Sequence, residues 1–396
     1  VIRIHQVLAT LGYGDAIGHE VLGIQRVLRK AGYGSEIFVE TADHRLESLT
    51  HDYRELVDFS DPDNLLFHHF SIGSKASRTS FALPDRMALI YHNITPPEYF
   101  VGVHRTLARQ CFRGRRELLA YADRCDLALG DSAFNREDLE RLGFPRTAVL
   151  PVVPDFSHLD RPPNRLIANQ FDDEWTNILF VGRVIANKKI DDLIRFFHAY
   201  HTLFNPRSRL LIVGAQGGFE RYVAALHRLA ATLDNPHVHF VGHVSDEELV
   251  AFYEIADLFL CASEHEGFCV PIVEAFYKQV PVLAYAATAV PSTMDGAGVL
   301  YDQKDPVHVA ALMDGVLSNC AVQDGIVQGQ MAAVDRLRST DFAGTLLRFV
   351  DDILAAPRAP APRIAFDFWQ QFDAAQELEE LRLERPSIYQ ALPVEP

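Results

Sequence analysis

"ADLFLCASEHEGFCVPIVEAF" occupies residues 256–276. Its first part, "ADLFLCAS" at 256–263, reads as a fully buried strand of a parallel sheet. Its last part opens a helix: Pro271 stands where the first helical residue would be, a position that does not need an N–H. Between them lies the loop "EHEGF", in which Gly267 lets the backbone approach a ligand closely. A strand running through a short loop into a helix is the βα half of a βαβ unit. The loop then sits at the carboxyl end of its strand, where doubly wound sheets bind ligands.

The chemistry of the loop fits that position. The N–H groups of Phe268, Cys269 and Val270, with the helix dipole behind them, make a seat for an anion. Glu274, one turn into the helix, can accept two hydrogen bonds from a cis-diol such as ribose. Glu266 can reach a hydroxyl-rich group on the other side of the anion. A bland alternative is an acid in the first turn facing the dipole, worth about 0.3–1 kcal/mol. That accounts for Glu274 and leaves Glu266 unexplained.

The same strand–helix alternation extends over most of the chain. Strands are expected at residues 2–8, 36–40, 64–69, 86–92 and 126–131, and again at 177–182, 209–214, 239–241, 257–261, 281–285 and 298–301. Helical periodicity fills the gaps, for example at 20–30, 105–121, 191–200 and 219–233. A proline-rich passage from Pro151 to Pro163 separates the two series and reads as an interdomain crossing. The expected fold class is therefore α/β, with two Rossmann-like doubly wound domains facing across a cleft. The N-terminal one spans residues 1–155 and the C-terminal one 165–355. A second proline-rich passage, "APRAPAPR" at 356–363, precedes a tail with helical apolar spacing. That closing helix, about 364–396, is expected to pack back onto the N-terminal domain.

Composition narrows the function. The 396 residues are 48% hydrophobic and 23% charged, ordinary for a globular protein with two cores. No apolar run approaches the roughly 20 residues needed to span a bilayer. The five cysteines, at 111, 125, 261, 269 and 320, form no CxxC pair, which favours reduced thiols and a cytoplasmic setting. A net charge of −16 argues against nucleic acid as a partner.

Other strand ends carry candidate groups. "GYGDAIGHE" at 12–20 follows the first strand, and its glycines could present N–H groups to an anion; such turns are also common without ligands. "IYHNITPPEYF" at 90–100 puts His92 at a strand end, able to bond a sugar hydroxyl or shuttle a proton, or else satisfied by loop carbonyls. In "FHHF" at 67–70, His68 and His69 point to opposite faces and cannot share one metal site. "LFVGRVIANKKIDDLI" at 179–194 places Arg183 and Lys188 just past a strand, where a fork and a point charge can clamp a diphosphate without a metal. The acidic pairs elsewhere read as turns or surface, so no metal site is expected.

Taken together, these segments resemble family 4 glycosyltransferases, which have the GT-B fold. "EGFCVPIVE" is similar to that family's Glu-x7-Glu motif and "VGRVIANKK" to its Gly-Arg…Lys diphosphate motif. "FVGHVSDEELVAFYEIADLFL" at 240–260 and "GYGDAIGHEV" resemble further family segments, so the likeness covers nearly all of residues 1–355. The resemblance implies retaining transfer of a sugar from a nucleotide diphosphate sugar, with no metal or other cofactor. It implies that Arg183 and Lys188 stabilise the departing diphosphate, that Glu274 holds ribose, and that Glu266 with the Gly267–Cys269 backbone holds sugar and phosphate. His92 would contact the donor sugar, His243 and Val244 would lie near the base, and Gly14 and Asp15 would border phosphate and acceptor. Lys189 stands where many members have glycine, so either lysine can serve.

"SEHEGFCVPIVEA", "HHFSIGS" and "YHNITPPEYF" resemble most a bacterial subgroup that builds cell-surface polysaccharides and includes mannosyltransferases. That implies GDP-mannose as the first donor to test, UDP-sugars next, and a glycan or polyprenyl-diphosphate-linked acceptor. Arg105, Arg109, Arg113 and Arg116 recur at three to four residues, a pattern that suits peripheral contact with the inner membrane face or simply a solvated helix. The rival reading from another class is a catalytically inactive nucleotide-sugar or glycan binding protein. It has no need of leaving-group cations.

Overall fold

The computed structural model describes residues 2–14, 16–152, 154–171, 173–358, 364, 368–372 and 383–391. They divide into two compact units, Val1–Pro154 with Thr340–Pro396, and Asp155–Ser339.

The first unit holds strands β1 (Ile4–Leu11), β2 (Ile37–Ala42), β3 (His51–Asp52), β4 (Leu65–Phe70), β5 (Arg86–Tyr91), β6 (Leu127–Gly130) and β7 (Thr147–Val149). They lie in the order β3-β2-β1-β4-β5-β6-β7, and every pairing is parallel. The order reverses between β1 and β4, which marks the switch point where such sheets bind ligands. Edge strands β3 and β7 are too short to show an apolar run in the sequence. On one face of the sheet, Ile4, Phe67, Ala88, Ile90 and Leu129 pack with Ile24 and Leu28 of the helix Ala16–Lys30.

The second unit repeats the design with β8 (Thr176–Val181), β9 (Ser208–Val213), β10 (Val238–Gly242), β11 (Leu258–Cys261), β12 (Val282–Tyr285) and β13 (Val299–Tyr301). The order is β10-β9-β8-β11-β12-β13, all parallel, with its switch point between β8 and β11. Because both faces are covered, the strands alternate between two cores. One includes Leu193, Ile194 and Phe197 of the helix Ile190–Leu203. The other includes Ile272, Val273 and Phe276 of the helix Val270–Tyr277. At the strand ends Gly214 has φ +147°, and a Cβ there would lie 2.0 Å from Gly182 O. Only glycine fits.

Two sequence expectations need correction. Residues 340–355 do not belong with the second sheet: the helix Phe342–Ala355 lies in the first unit. Its stripe Leu346, Val350 and Ile353 is fully buried with Ile4, Leu28 and Leu65, and Arg86 Nη1 donates to Ile353 O (2.6 Å) and Ala356 O (3.0 Å). The stripe complements the first sheet, so the chain changes unit before the "APRAPAPR" passage. Residues 156–163, read as linker, are likewise part of the second unit, where Phe156 and Leu159 are buried. The expected closing helix at 364–396 falls largely outside the described residues. What is described is a 3₁₀ turn, Phe368–Phe372, and a short helix, Pro386–Ala391. The rings of Phe368 and Trp369 each lie 5.0 Å from that of Phe81 in the first unit.

Candidate active site

In the second unit the loops after β8 and β11 meet at the switch point. Glu264 N–H donates to Asn187 O (2.9 Å), and Asn187 Nδ2 donates to His265 O (2.9 Å), knitting the two loops together. Lys188 Nζ reaches across to Glu266 Oε1 at 2.5 Å. Burial works against the Lys188 ammonium, but the Glu266 carboxylate outweighs it and holds the amine above its ordinary value. Glu266 N–H donates to Thr288 Oγ1 (2.9 Å), which pins the loop from a third side. Lys304 Nζ bonds Asp192 Oδ2 (2.9 Å), Ala262 O (3.0 Å) and Glu264 Oε1 (2.8 Å), tying the loop to the helix Ile190–Leu203.

The helix after the β11 loop starts under strain. Cys269 is its N-cap, in the left-handed region at φ 75°, ψ 66°, with Val270 and Pro271 as the first two helical residues. Pro271 is thus one position later than expected, still within the first turn where its missing N–H is harmless. The left-handed cap turns the backbone sharply between Glu266 and Glu274. Glu274, buried, is braced at both oxygens: Oε1 faces His158 Nε2 at 3.0 Å and Oε2 accepts from Tyr253 OH at 2.9 Å. Burial lowers His158, but its bond to Glu274 prevails and raises it. Burial, with Glu274 adding to it, pushes the Tyr253 phenol well up. Two carboxylates therefore bracket the cap, one paired to a lysine and one held by a tyrosine hydroxyl and a histidine.

In the first unit a second polar group forms at the carboxyl end of the sheet. Gln6 Nε2 donates to Val21 O (3.0 Å) and its Oε1 faces His69 Nε2 (2.9 Å). His69 Nδ1 faces His92 Nε2 (2.8 Å), and His92 Nδ1 faces Asp131 Oδ2 (2.9 Å). Glu20 Oε2 stands 3.7 Å from the same His92 nitrogen. Glu20, His92 and Asp131 bring three potential metal-ligand atoms within 4.8 Å of one another, a cluster the sequence reading did not foresee. Burial and then the neighbouring Asp131 push the Glu20 carboxyl up to about 8, although His92 opposes the shift.

The sequence model of the family "Glycosyl transferases group 1" matches residues 166–326. Over 268 residues, 63% of this chain and 68% of the relative, the sequence is 25% identical to the O-antigen chain mannosyltransferase B of Escherichia coli. The family match lies within the second unit, which carries the pattern of the group 1 glycosyl transferases. A mannosylfructose-phosphate synthase of Agrobacterium fabrum is 28% identical over 182 residues, 43% of this chain and 40% of the relative. Among solved structures, the HepE protein of Anabaena in complex with UDP-glucose superposes with a TM-score of 0.70 at 16% identity, covering 89% of this chain and all of that one. The sucrose-phosphate synthase of Thermosynechococcus elongatus gives 0.69 at 16%, covering 90% and all of that chain. These likenesses show the shared GT-B fold.

The remaining expected residues of this glycosyltransferase fall as follows. Arg183 is exposed beyond β8, its guanidinium 5.9 Å over the Phe219 ring. Lys189, left-handed at φ 53°, caps the helix Ile190–Leu203 and pairs with Asp191 (3.5 Å) and Asp192 (3.9 Å), so of the two lysines Lys188 is the one bonded to the Glu266 loop. Gly267, Phe268 and Val270 are half-buried in the loop, and Phe268 O accepts from Thr293 Oγ1. His243 is exposed after β10, while Val244 packs on the core beneath. Gly14 is left-handed at φ 74° just before the helix Ala16–Lys30; Asp15 lies outside the described residues. Along the helix Arg105–Ala120, Arg105 and Arg113 are exposed and Arg109 and Arg116 half-buried. Among the described residues no helix is long and apolar enough to cross a membrane. Sequence reasoning missed Asn187, Thr288, Lys304, His158 and Tyr253, and in the first unit Gln6, Glu20, His69 and Asp131. Asn187, Glu20, His69 and Tyr253 stand inside quoted segments; the others carry no local signal.

Proposed function

We propose that this glycosyltransferase moves a sugar from a nucleotide diphosphate sugar, with retention and without a metal, to a glycan or polyprenyl-diphosphate-linked acceptor. Mannose from GDP-mannose is the first donor to test and UDP-sugars the next. The observation that supports this best is the Lys188–Glu266 pair at the β8/β11 switch point, beside the left-handed cap and the braced Glu274. A diphosphate on the cap N–H groups is within the reach expected of Lys188 and Arg183, whose charges stabilise the leaving group as it departs. Glu274 holds the ribose diol and Glu266 the sugar hydroxyls, and His92 serves the donor sugar. The mannosyltransferase relatives, O-antigen chain mannosyltransferase B and serotype-specific mannosyltransferase WbdA of Escherichia coli, support mannose as the sugar and a role in surface polysaccharide synthesis.

A thermal-shift panel of GDP, UDP, ADP and their sugars tests the reading, since stabilisation follows RT ln(1 + [L]/Kd). GDP and GDP-mannose are expected to give the largest shift, and no shift with any nucleotide would sink the proposal. Transfer should then be lost in Arg183→Ala with folding intact, and in Glu266→Ala when assayed below that variant's lowered melting point. Replacing Arg109 and Arg113 by Ala should weaken binding to anionic liposomes and turnover of a lipid-linked acceptor; unchanged values remove the membrane-contact part.

A further inference from the structure

One backbone position in the second unit breaks the usual rule of residue choice. Among the described residues seven others than glycine have a positive φ, and only Thr288, at φ 49°, is branched at Cβ. A branched side chain is the kind that the left-handed region tolerates least. Glycine, asparagine or aspartate would hold the same turn without that penalty. Strain of this kind persists only where the surroundings over-determine it, and it collects at functional sites. Here the surroundings are firm. Thr288 stands in the turn after β12, where Ala287 N–H donates to Tyr285 O (2.9 Å) and Val290 N–H to Ala287 O (3.0 Å). Ala289 and Val290 are fully buried, and Val290 and Met294 share a core with Ile272 and Phe276 of the helix Val270–Tyr277.

What this turn holds is the loop after β11. Thr288 Oγ1 accepts the Glu266 N–H (2.9 Å), and Thr293 Oγ1 donates to Phe268 O. The loop is thus fastened at the amide of Glu266 and at the carbonyl of Phe268, with Gly267 half-buried between them. Glu266 itself is fixed at two points, its backbone by Thr288 and its carboxylate by Lys188 Nζ at 2.5 Å. The two bonds do different work. Lys188 follows the carboxylate on a flexible stem, whereas the threonine hydroxyl, on a side chain stiff about χ1, sets where the backbone lies. Glycine at 288 would relieve the turn and take this acceptor from the amide of a buried residue, which is costly.

We propose that Thr288 is a positioning residue: its hydroxyl holds the Glu266 backbone so that the carboxylate meets the hydroxyls of the donor sugar, and its left-handed backbone is what brings the hydroxyl there. The part that concerns the sugar rests on the proposed function; the hold on the loop does not.

Three variants of the full chain separate the hydroxyl from the branch. Thr288→Ser keeps the hydroxyl and drops the methyl, and Thr288→Ala drops both. Thr288→Gly also lacks the hydroxyl but suits the left-handed turn, and it serves if Thr288→Ala does not fold. Hydrogen exchange at the Glu266 amide, followed by NMR with glutamate labelled in ¹⁵N, reads the loop directly. It should speed about tenfold in Thr288→Ala, the scale of one lost hydrogen bond, and return close to wild type in Thr288→Ser. Calorimetric affinities for free GDP and UDP should be unchanged in Thr288→Ala, while those for GDP-mannose and UDP-glucose fall toward the free nucleotide's and recover in Thr288→Ser. A purely structural defect would weaken both kinds of ligand alike. Unchanged exchange in Thr288→Ala and Thr288→Gly, a Thr288→Ser as impaired as Thr288→Ala, or equal weakening of free and sugar-bearing nucleotides overturns the proposal. If exchange follows the hydroxyl and the wild type binds no nucleotide, the proposed function fails and the hold of Thr288 on the loop stands.

Discussion

Replacing Lys188 with Met tests whether the Lys188–Glu266 pair holds the β11 loop in place. The two side chains are 16% and 8% exposed with 2.5 Å between their charged atoms, so the pair is a buried one. Removing one partner of a buried pair costs about 3–5 kcal/mol, because the other charge is left without compensation. At about 2–4 °C per kcal/mol for a unit of this size, the second unit should melt roughly 6–20 °C lower. Glu266→Gln alone should do similar damage. The double variant Lys188→Met/Glu266→Gln removes both charges with little change of shape and should recover most of the loss. Because the chain has two units, a single melting point would mix them. Trp175 lies in the second unit and Trp369 in the first, so a Trp369→Phe background lets Trp175 fluorescence report the second unit alone. Single and double variants that are equally destabilised would refute the coupling. On the proposed roles, turnover should be lost in all three, since each lacks the leaving-group charge of Lys188, the sugar-holding carboxylate of Glu266, or both.

Gly214→Ala should cost at least about 1–3 kcal/mol from its φ of +147° alone, and weaken nucleotide binding as well, because the new Cβ meets the backbone of Gly182 at 2.0 Å; the unfolding midpoint of the second unit and nucleotide affinity check it. His158 has its value raised by Glu274, so the pair stabilises the second unit fully below about 6.5, the unfolded value, and that contribution fades as pH rises through the folded value. Unfolding measured from pH 5 to 9 should show this slope in the wild type and lose it in Glu274→Gln. Tyr253→Phe deletes one brace of Glu274 and should cost about 1.5–3 kcal/mol, the range for a hydrogen bond to a charged group, with weaker nucleotide binding. Arg86→Met should speed hydrogen exchange in the helix Phe342–Ala355 and leave the second unit unchanged, since Arg86 holds the carbonyls of Ile353 and Ala356.

Much of the architecture was legible before any coordinates. Apolar runs such as Leu258–Cys261 and Leu179–Val181, each followed at once by glycine or polar loop and then a helical pattern, describe parallel strands and their crossovers. The Gly267 and Pro271 positions likewise announced a βα loop, which the structure has between β11 and the helix Val270–Tyr277. The boundary at residue 340 was not legible, because the stripe Leu346–Val350–Ile353 suits any apolar face and the prolines that looked like a border come after it.

By itself, then, the sequence determined the strand–helix order, the location of the candidate site loops at strand ends, and the excess of negative charge. Those are local properties, set by residue period and by backbone chemistry within a few positions. Only the tertiary structure decided which of the two lysines meets Glu266, that Glu274 is braced by Tyr253 and His158, and that His69 belongs with His92. Such partners sit 78, 21, 116 and 23 residues apart. His69 and His92 are joined by parallel register, in which paired residues share a face, and Glu274, Tyr253 and His158 by the packing of helical segments. Register is a relation between strands, and no single stretch of chain contains it.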